Sequence, residues 1–426
     1  MSAPFIISRK ISLNFDSFNL HPLILANVQA LGYKTPTPIQ QQSLPSVLQG
    51  KDVMGLAQTG TGKTAAFALP IIQRLLEGPR SCVRALIVAP TRELAQQIHE
   101  AIVELCKGTG INSMTLYGGV NINPQIKTLK AGVEIVVACP GRLLDHLQQR
   151  TINLDKVEVL VLDEADQMFD MGFLPSIRRI LRYLPKKRQT LLFSATMPSA
   201  INELAREVLH QPITVEVGHS APATSVQQVL FPVEQHLKAE LLMHILRKTQ
   251  FDSVLIFTRT KRGAKQVAQK LEQAGFLATS LQGNLSQSRR LSAMNGFRDG
   301  SLKIMVATDI AARGIDVNTI SHVINYDMPS TVESYIHRVG RTGRAEREGE
   351  AYTLTLQEDQ LLVRKIERVL GSKLEQRRLE DFNYDAKSAG PARHPTLKPA
   401  RSSRPANNQS RHSSRQRPAW ESQSSK

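Results

Sequence analysis

Eight residues, Ala57-Gln58-Thr59-Gly60-Thr61-Gly62-Lys63-Thr64, restrict the fold of this chain more than any other stretch. They follow a short apolar run, Val53 to Leu56, and open a run of helix formers from Ala65 to Leu76. Strand, glycine-rich turn and helix in that order is the context a phosphate-binding loop requires. Gly60 and Gly62 let the backbone turn tightly, so that successive N–H groups converge on a phosphate at a helix N-terminus. Lys63 adds a point charge at the terminal phosphates, and Thr64 offers a hydroxyl to Mg²⁺. The strict pattern G-x-x-x-x-G-K-[ST] is departed from at its first position, where Ala57 stands.

Such a loop implies a parallel sheet, and the apolar runs agree. Val83–Ala89, Val133–Ala138, Val157–Leu162 and Thr190–Phe193 are apolar on both faces and alternate with helical stretches, as buried parallel strands do. Ligands in such sheets sit beyond the carboxyl ends of the strands. There the chain carries Thr91-Arg92-Glu93, Pro140-Gly141-Arg142, Asp163-Glu164-Ala165-Asp166 and Ser194-Ala195-Thr196. Of Asp163 and Glu164, one carboxylate is suited to hold Mg²⁺ through water and the other to orient and deprotonate an attacking water. Upstream, Pro36 and Pro38 stiffen the backbone ahead of Gln40, whose amide has the donor and acceptor to pair with an adenine edge.

These residues, in this order, resemble the motifs of the DEAD-box RNA helicases: Gln40, Ala57–Thr64, Pro90–Ala95, Asp163–Asp166 and Ser194–Thr196. The resemblance spans nearly the whole first half of the chain, and Ala57 is the residue that family carries in its loop. It implies an α/β protein with two tandem RecA-like parallel-sheet domains. It also implies that Phe15 stacks near the adenine, that Gln40 reads it, and that residues 57 to 64 hold the phosphates. It gives Mg²⁺ to Asp163 and the attacking water to Glu164. Asp166, Ser194 and Thr196 would couple the nucleotide site to strand separation, while Arg92, Gly118, Gly119 and Arg142 would hold RNA backbone. Cys139 stands where the family usually has Thr, which removes a hydroxyl from that face.

A second alternating series follows a loosened stretch of small and polar residues at 218–225. Ser253–Thr258, Lys303–Ala307, His322–Tyr326 and Ala351–Leu356 read as strands, and Arg262–Gln273 as a helix. No second phosphate loop is present, so this half should share the first one's nucleotide. By the same resemblance, Arg341 and Arg344 reach the γ-phosphate as arginine fingers and Asp316 touches the ribose. Gln287, Arg290 and Thr308 would hold RNA in the second half. Gln282 and Glu346 depart from the usual family residues without removing a catalytic group. The segments 170–175 and 255–260 look most like the bacterial RhlE-type subgroup.

These boundaries give an ATP-binding domain at 1–217, with the glutamine motif at about 13–41, a linker at 218–225, a C-terminal helicase domain at 226–384 and a tail at 385–426. The tail is rich in Ser, Pro, Arg, Asn and Gln and poor in aliphatics, so it is expected to be disordered. Its nine cations and two anions carry about +7 of the total formal charge of +17. That charge points to a polyanionic partner, most simply RNA gripped by its sugar-phosphate backbone. No apolar run approaches the roughly 20 residues of a membrane span, and residues 1–15 have the wrong order for a secretory signal. Cys82, Cys106 and Cys139 lack metal-ligand spacing and read as reduced core thiols, which suits a cytoplasmic protein. The expected activity is RNA-stimulated ATP hydrolysis coupled to unwinding of short duplexes, with ATP as substrate, Mg²⁺ as cofactor and ribosomal or RNA-decay ribonucleoproteins as targets. Two alternatives share these features: a nucleotide-gated RNA clamp with little unwinding, and a DNA-directed translocase of related architecture.

Overall fold

The computed structural model describes residues 14–57, 60–217, 226–312, 320–343 and 349–386. Gln58, Thr59, Asp316, Arg344, the linker at 218–225 and the tail beyond residue 386 lie outside the described residues.

Apolar runs become strands as the patterning requires. β1 (Val53–Leu56), β2 (Ala85–Val88), β3 (Ser113–Leu116), β4 (Ile135–Ala138), β5 (Val159–Leu162), β6 (Gln189–Ser194) and β7 (Ile213–Glu216) form one sheet in the order β3-β4-β2-β5-β6-β1-β7. The second sheet holds β8 (Val226–Pro232), β9 (Val254–Phe257), β10 (Ala278–Leu281), β11 (Ile304–Ala307), β12 (His322–Asn325), β13 (Gly349–Thr355) and β14 (Glu375–Gln376). Its order is β10-β11-β9-β12-β13-β8-β14. Every pairing in both sheets is parallel. Counted from its own first strand, the second sheet repeats the order of the first. The chain is therefore one α/β fold used twice, within a compact unit that ends at Tyr384.

The central strands β2, β4, β5 and β6 are buried along their whole length, and helices cover both faces of the first sheet. That is why their runs lack polar alternation. Gly55 marks a close approach inside β1, because a Cβ there would lie 2.5 Å from the ring of Phe193 on β6, its register partner. The edge strand β7 is buried at Val215 alone.

The repeat also shows what became of the phosphate loop in the second half. Helix Lys63–Leu75 follows β1, and helix Lys238–Lys248 follows β8 at the equivalent place. Both begin with a buried lysine whose ammonium donates to a backbone carbonyl, Lys63 to Ala57 and Lys238 to Tyr326, each at 2.9 Å. Lys238 also faces Asp327 at 3.6 Å, just beyond β12, much as Lys63 faces the strand end that carries Asp163. Residues 233–237 contain no glycine, and residues 235–237 form a short 3₁₀ turn. The second half thus keeps the lysine and the acid but not the backbone turn that wraps a phosphate.

Candidate functional site

The phosphate loop stands where the sequence places it, between β1 and helix Lys63–Leu75. Gly60 and Gly62 have φ of +86° and +92°, conformations that side chains disfavour. Gly62 is required for a second reason: a Cβ there would lie 2.5 Å from Gln40 Nε2 and 2.9 Å from Thr37 Oγ1. Gln40 packs against the loop, donating from Nε2 to the Gly62 carbonyl at 3.0 Å and accepting at Oε1 from the Thr37 N–H at 2.9 Å. In this structure the amide expected to read adenine thus fastens the phosphate loop to the proline-stiffened turn.

A cavity of about 450 Å³ opens over this loop, within the range of nucleotide-sized sites. Phe15, Tyr33, Gln40, Lys63, Asp163 and Glu164 are among the residues that line it, with Gly60, Gly62 and Thr64. Phe15 is buried, with its ring edge-on to Phe18 and tilted against Tyr33. Helix Arg92–Leu105 adds Leu94, from the Pro90–Ala95 motif, and also Gln97 and Ala101, two residues that nothing in the sequence singles out. Their helical spacing reads as ordinary core packing, so only the fold reveals them.

Asp163 and Glu164 follow β5 directly and are both buried. Burial pushes the Asp163 carboxyl up to about 6, with the Lys63 ammonium opposing that rise. Glu164 has a φ of +52°, a left-handed backbone uncommon for a side-chain-bearing residue, and its N–H donates to Asp163 Oδ1 at 3.0 Å. Strain of this kind persists where neighbours enforce it, and it tends to gather at functional positions. Asp163 and Thr64 offer oxygen donors in one cavity, the hard-ligand chemistry Mg²⁺ takes. Among the described residues, no three His, Cys, Asp or Glu side chains cluster to hold a metal, so bound phosphate and water would have to complete such a shell.

One turn along, Asp166 is wrapped by the residues after β6. Its Oδ2 accepts from the Ala195 N–H at 3.2 Å, the Thr196 N–H at 3.0 Å and the Thr196 hydroxyl at 3.1 Å. Its own N–H donates to Ser194 Oγ, which in turn donates to the Thr196 carbonyl. The ends of β5 and β6 are joined through this one carboxylate.

The second half meets this edge with helix Val332–Val339 and the residues after it. His337, Arg341 and Gln167 line one small cavity between the halves. Burial holds the His337 imidazole below its ordinary value, against the Asp166, Glu164 and Asp170 carboxylates and with Arg341 acting in the same sense as burial. Arg341 is itself buried. Arg338, which a basic run would place in solvent, lies in the core of this half. It makes a bidentate pair with Asp309 at 2.6 and 2.8 Å, donates to Asn325 Oδ1 and the Asp327 carbonyl, and sits 5.0 Å over the Phe257 ring. It braces the ends of β9, β11 and β12.

Several residues expected to grip RNA are engaged with protein partners in this structure. Arg92 donates to Gln287 Oε1 at 3.0 Å, and Arg290 pairs with Glu93 at 2.6 Å, both across the two halves. A Cβ on Gly119 (φ +77°) would collide with the Arg92 guanidinium, so this glycine permits close approach. Arg142 donates to the Val120 carbonyl at 2.8 Å and holds the same loop from the other side. Thr308 is buried at the end of β11. Cys139 and Cys106 are buried and Cys82 half-buried; burial pushes the first two thiols up to about 12. Among the described residues, no helix is long and apolar enough to cross a membrane.

Comparison with known proteins agrees with this geometry. Residues 37–204 match the DEAD/DEAH box helicase family, and residues 237–346 match the helicase conserved C-terminal domain. The ATP-dependent RNA helicase CshA of Listeria monocytogenes is 41% identical over 385 residues, covering 90% of this chain and 74% of its own length. The CshA of Bacillus subtilis is 39% identical, covering 85% and 74%. Among solved structures, S. cerevisiae Dbp5 bound to RNA and ADP BeF3 superposes with a TM-score of 0.77 at 30% identity, over 85% of this chain and 95% of that one. DEAD-box helicase Mss116 bound to ssRNA and UDP-BeF gives 0.79 at 26% identity, over 87% and 81%. A glycine-turned phosphate loop, a buried Asp-Glu pair, a strand-end carboxylate clasped by Ser-Ala-Thr and relatives of this similarity over nearly the whole chain lead to one assignment: the chain belongs to the DEAD-box family of ATP-dependent RNA helicases.

Proposed function

We propose that RNA bound across both halves completes the nucleotide site, so that ATP and RNA each favour the same closed arrangement and strengthen one another's binding. The observation that carries this reading is the Asp166 clasp. One carboxylate two residues after Glu164 touches three groups of the Ser194–Thr196 loop and faces His337 of the second half.

In this reading Lys63, Thr64 and the N–H groups of the loop hold the phosphates, and Asp163 and Thr64 are the protein's ligands for Mg²⁺. Bound Mg²⁺ would neutralise phosphate charge. Glu164 positions and deprotonates the attacking water. Arg341, and Arg344 beyond the described residues, would set planar cations against the charge of the phosphoryl transition state, an effect worth roughly 10³–10⁵ in rate. Phe15 and Gln40 serve the base end of the nucleotide, and Asp316 the ribose. Arg92, Gly118, Gly119, Arg142, Gln287, Arg290 and Thr308 form the RNA face. The bound strand is bent there and sheds its partner, and hydrolysis reopens the cleft.

The domain limits of 1–217 and 226–384, the linker at 218–225 and the role of residues 385–426 as a sequence-blind RNA tether belong to the same proposal. So do a cytoplasmic setting, ribosomal or RNA-decay ribonucleoprotein targets and the RhlE-type subgroup. The subgroup rests on residues 170–175 and 255–260, whereas the relatives described above are CshA helicases. Glu164→Gln tests the core of the scheme. It is expected to keep ATP and RNA binding while turnover disappears, and turnover within tenfold of the parent would remove Glu164 from its role.

A further inference from the structure

The Gly118-Gly119 loop is held by a buried polar chain that runs back into the first half, away from any nucleotide. Arg142 Nη2 donates to the Val120 carbonyl at 2.8 Å, and its Nη1 donates to Gln125 Oε1 at 3.1 Å. Gln125 in turn donates from Nε2 to the Tyr117 carbonyl at 3.1 Å. One amide therefore spans the loop, fixing the residue before Gly118 directly and the residue after Gly119 through Arg142. Behind it lies His146, fully buried, with Nε2 3.1 Å from the same Gln125 oxygen and Nδ1 2.8 Å from Thr151 Oγ1.

The fixed donors and acceptors around it set the orientation of Gln125. A backbone carbonyl only accepts, so Gln125 must present its NH₂ to Tyr117 and its oxygen to Arg142. That oxygen must then receive a proton from His146 as well, which places hydrogen on Nε2. In the neutral ring Nδ1 is the acceptor, and it shares the Thr151 hydroxyl proton with the His146 carbonyl, which lies 3.2 Å from Thr151 Oγ1. Two donors converge on Gln125 Oε1 and fill its two lone pairs, locking the amide orientation. Arg142 spends two of its five N–H donors in these bonds; its Nε is buried and faces Asp145 Oδ2 at 3.6 Å, which leaves one N–H on each terminal nitrogen for an anion.

We propose that Gln125 and His146 are positioning residues of the RNA interface: they set the Gly118–Val120 loop and the Arg142 guanidinium in the arrangement that accepts a phosphate, without touching RNA themselves. The proposal rests on the reading above that Arg142 and the glycine loop hold RNA backbone. Neither Gln125 nor His146 lines the nucleotide cavity, so the chemistry of hydrolysis should not depend on them.

The test is RNA-stimulated ATPase titrated with a single-stranded oligoribonucleotide on the full chain. His146→Ala is expected to raise the KM for RNA roughly tenfold, the size expected when a charge-assisted hydrogen-bond network loses a member, with kcat at saturating RNA within twofold of the parent. His146→Gln, which keeps an N–H donor, should return KM to within about threefold of the parent. Gln125→Leu keeps the volume, deletes all three of its hydrogen bonds and serves as the second variant should His146→Ala not fold. Its KM should rise as far as that of His146→Ala. Because part of their effect passes through Arg142, adding His146→Ala to Arg142→Ala should raise KM by a smaller factor than it does in the parent. An unchanged KM in both His146→Ala and Gln125→Leu, or an additive double variant, overturns the proposal. If Arg142→Ala itself leaves KM unaltered, the RNA reading of this face fails instead, so the two failures are separable.

Discussion

At the scale of single residues, several side chains do work that their type alone does not announce. Gly62 satisfies a positive φ and the approach of Gln40 at once. Gly62→Ala should therefore abolish the thermal stabilisation the parent gains from ATP, while the melting transition of nucleotide-free protein survives; an undiminished ligand shift would show that the close fit to Gln40 is dispensable. Cys106 and Cys139 carry thiols raised to about 12, so at pH 8 they are almost wholly protonated. Alkylation of native protein at that pH should modify Cys82 first and leave the other two until the chain unfolds. The linkage sign follows: the folded state retains protons that the unfolded state releases above about pH 9. Stability should therefore be insensitive to these thiols below that pH and fall by up to about 1.4 kcal/mol per pH unit per thiol above it. Fast labelling of Cys106 or Cys139 in the folded chain would contradict their burial.

Between elements, strand ends are joined by charged residues that accept several partners. Asp166 ties β5 to β6, and Arg338 ties β9, β11 and β12. Ser194→Ala with Thr196→Ala should lower duplex release far more than ATP hydrolysis; an equal loss of both would mean the clasp supports the nucleotide site alone. Arg338→Ala should destabilise the second half by about 3 kcal/mol in denaturant unfolding, since it strands Asp309 and the carbonyls it serves. Arg338→Lys should recover little of that, because an ammonium cannot reproduce the bidentate fork. Unfolding midpoints equal to the parent's would refute the bracing role.

What could be read from the sequence divides along the same line. The central strands were legible because burial on both faces fills them mostly with apolar residues, and turn chemistry marked the phosphate loop. The strands at or near the sheet edges, β3, β7, β8, β10 and β14, carry mixed residues because they are only partly covered, and their runs do not stand out. The Asp163, Glu164 and Ser194–Thr196 positions were apparent from their places after strands. Arg338, Gln125 and His146 were not, since a buried polar residue is recognisable only once its tertiary partners are known.

For the whole molecule, the repeated strand order means that one fold is used twice. The first copy carries the glycine turn, and the second has residues 233–237 in its place, with Lys238 as an internal brace. In the proposed scheme, a half with no phosphate loop of its own contributes to hydrolysis through Arg341. Arg341→Ala should therefore lower kcat at saturating RNA by about 10³, with ATP affinity changed much less. Reducing the tail's charge should flatten the salt dependence of RNA affinity, because each phosphate that is no longer neutralised lowers the logarithmic slope by about 0.7 for a single strand.

The central claim is that RNA across both halves assembles the hydrolytic site. The steady-state ATPase rate of the purified 426-residue chain, measured with and without saturating single-stranded RNA at fixed Mg²⁺, tests it most directly. The predicted result is a rate many-fold higher with RNA, lost in Arg341→Ala and in Glu164→Gln; equal rates in the two conditions would contradict it.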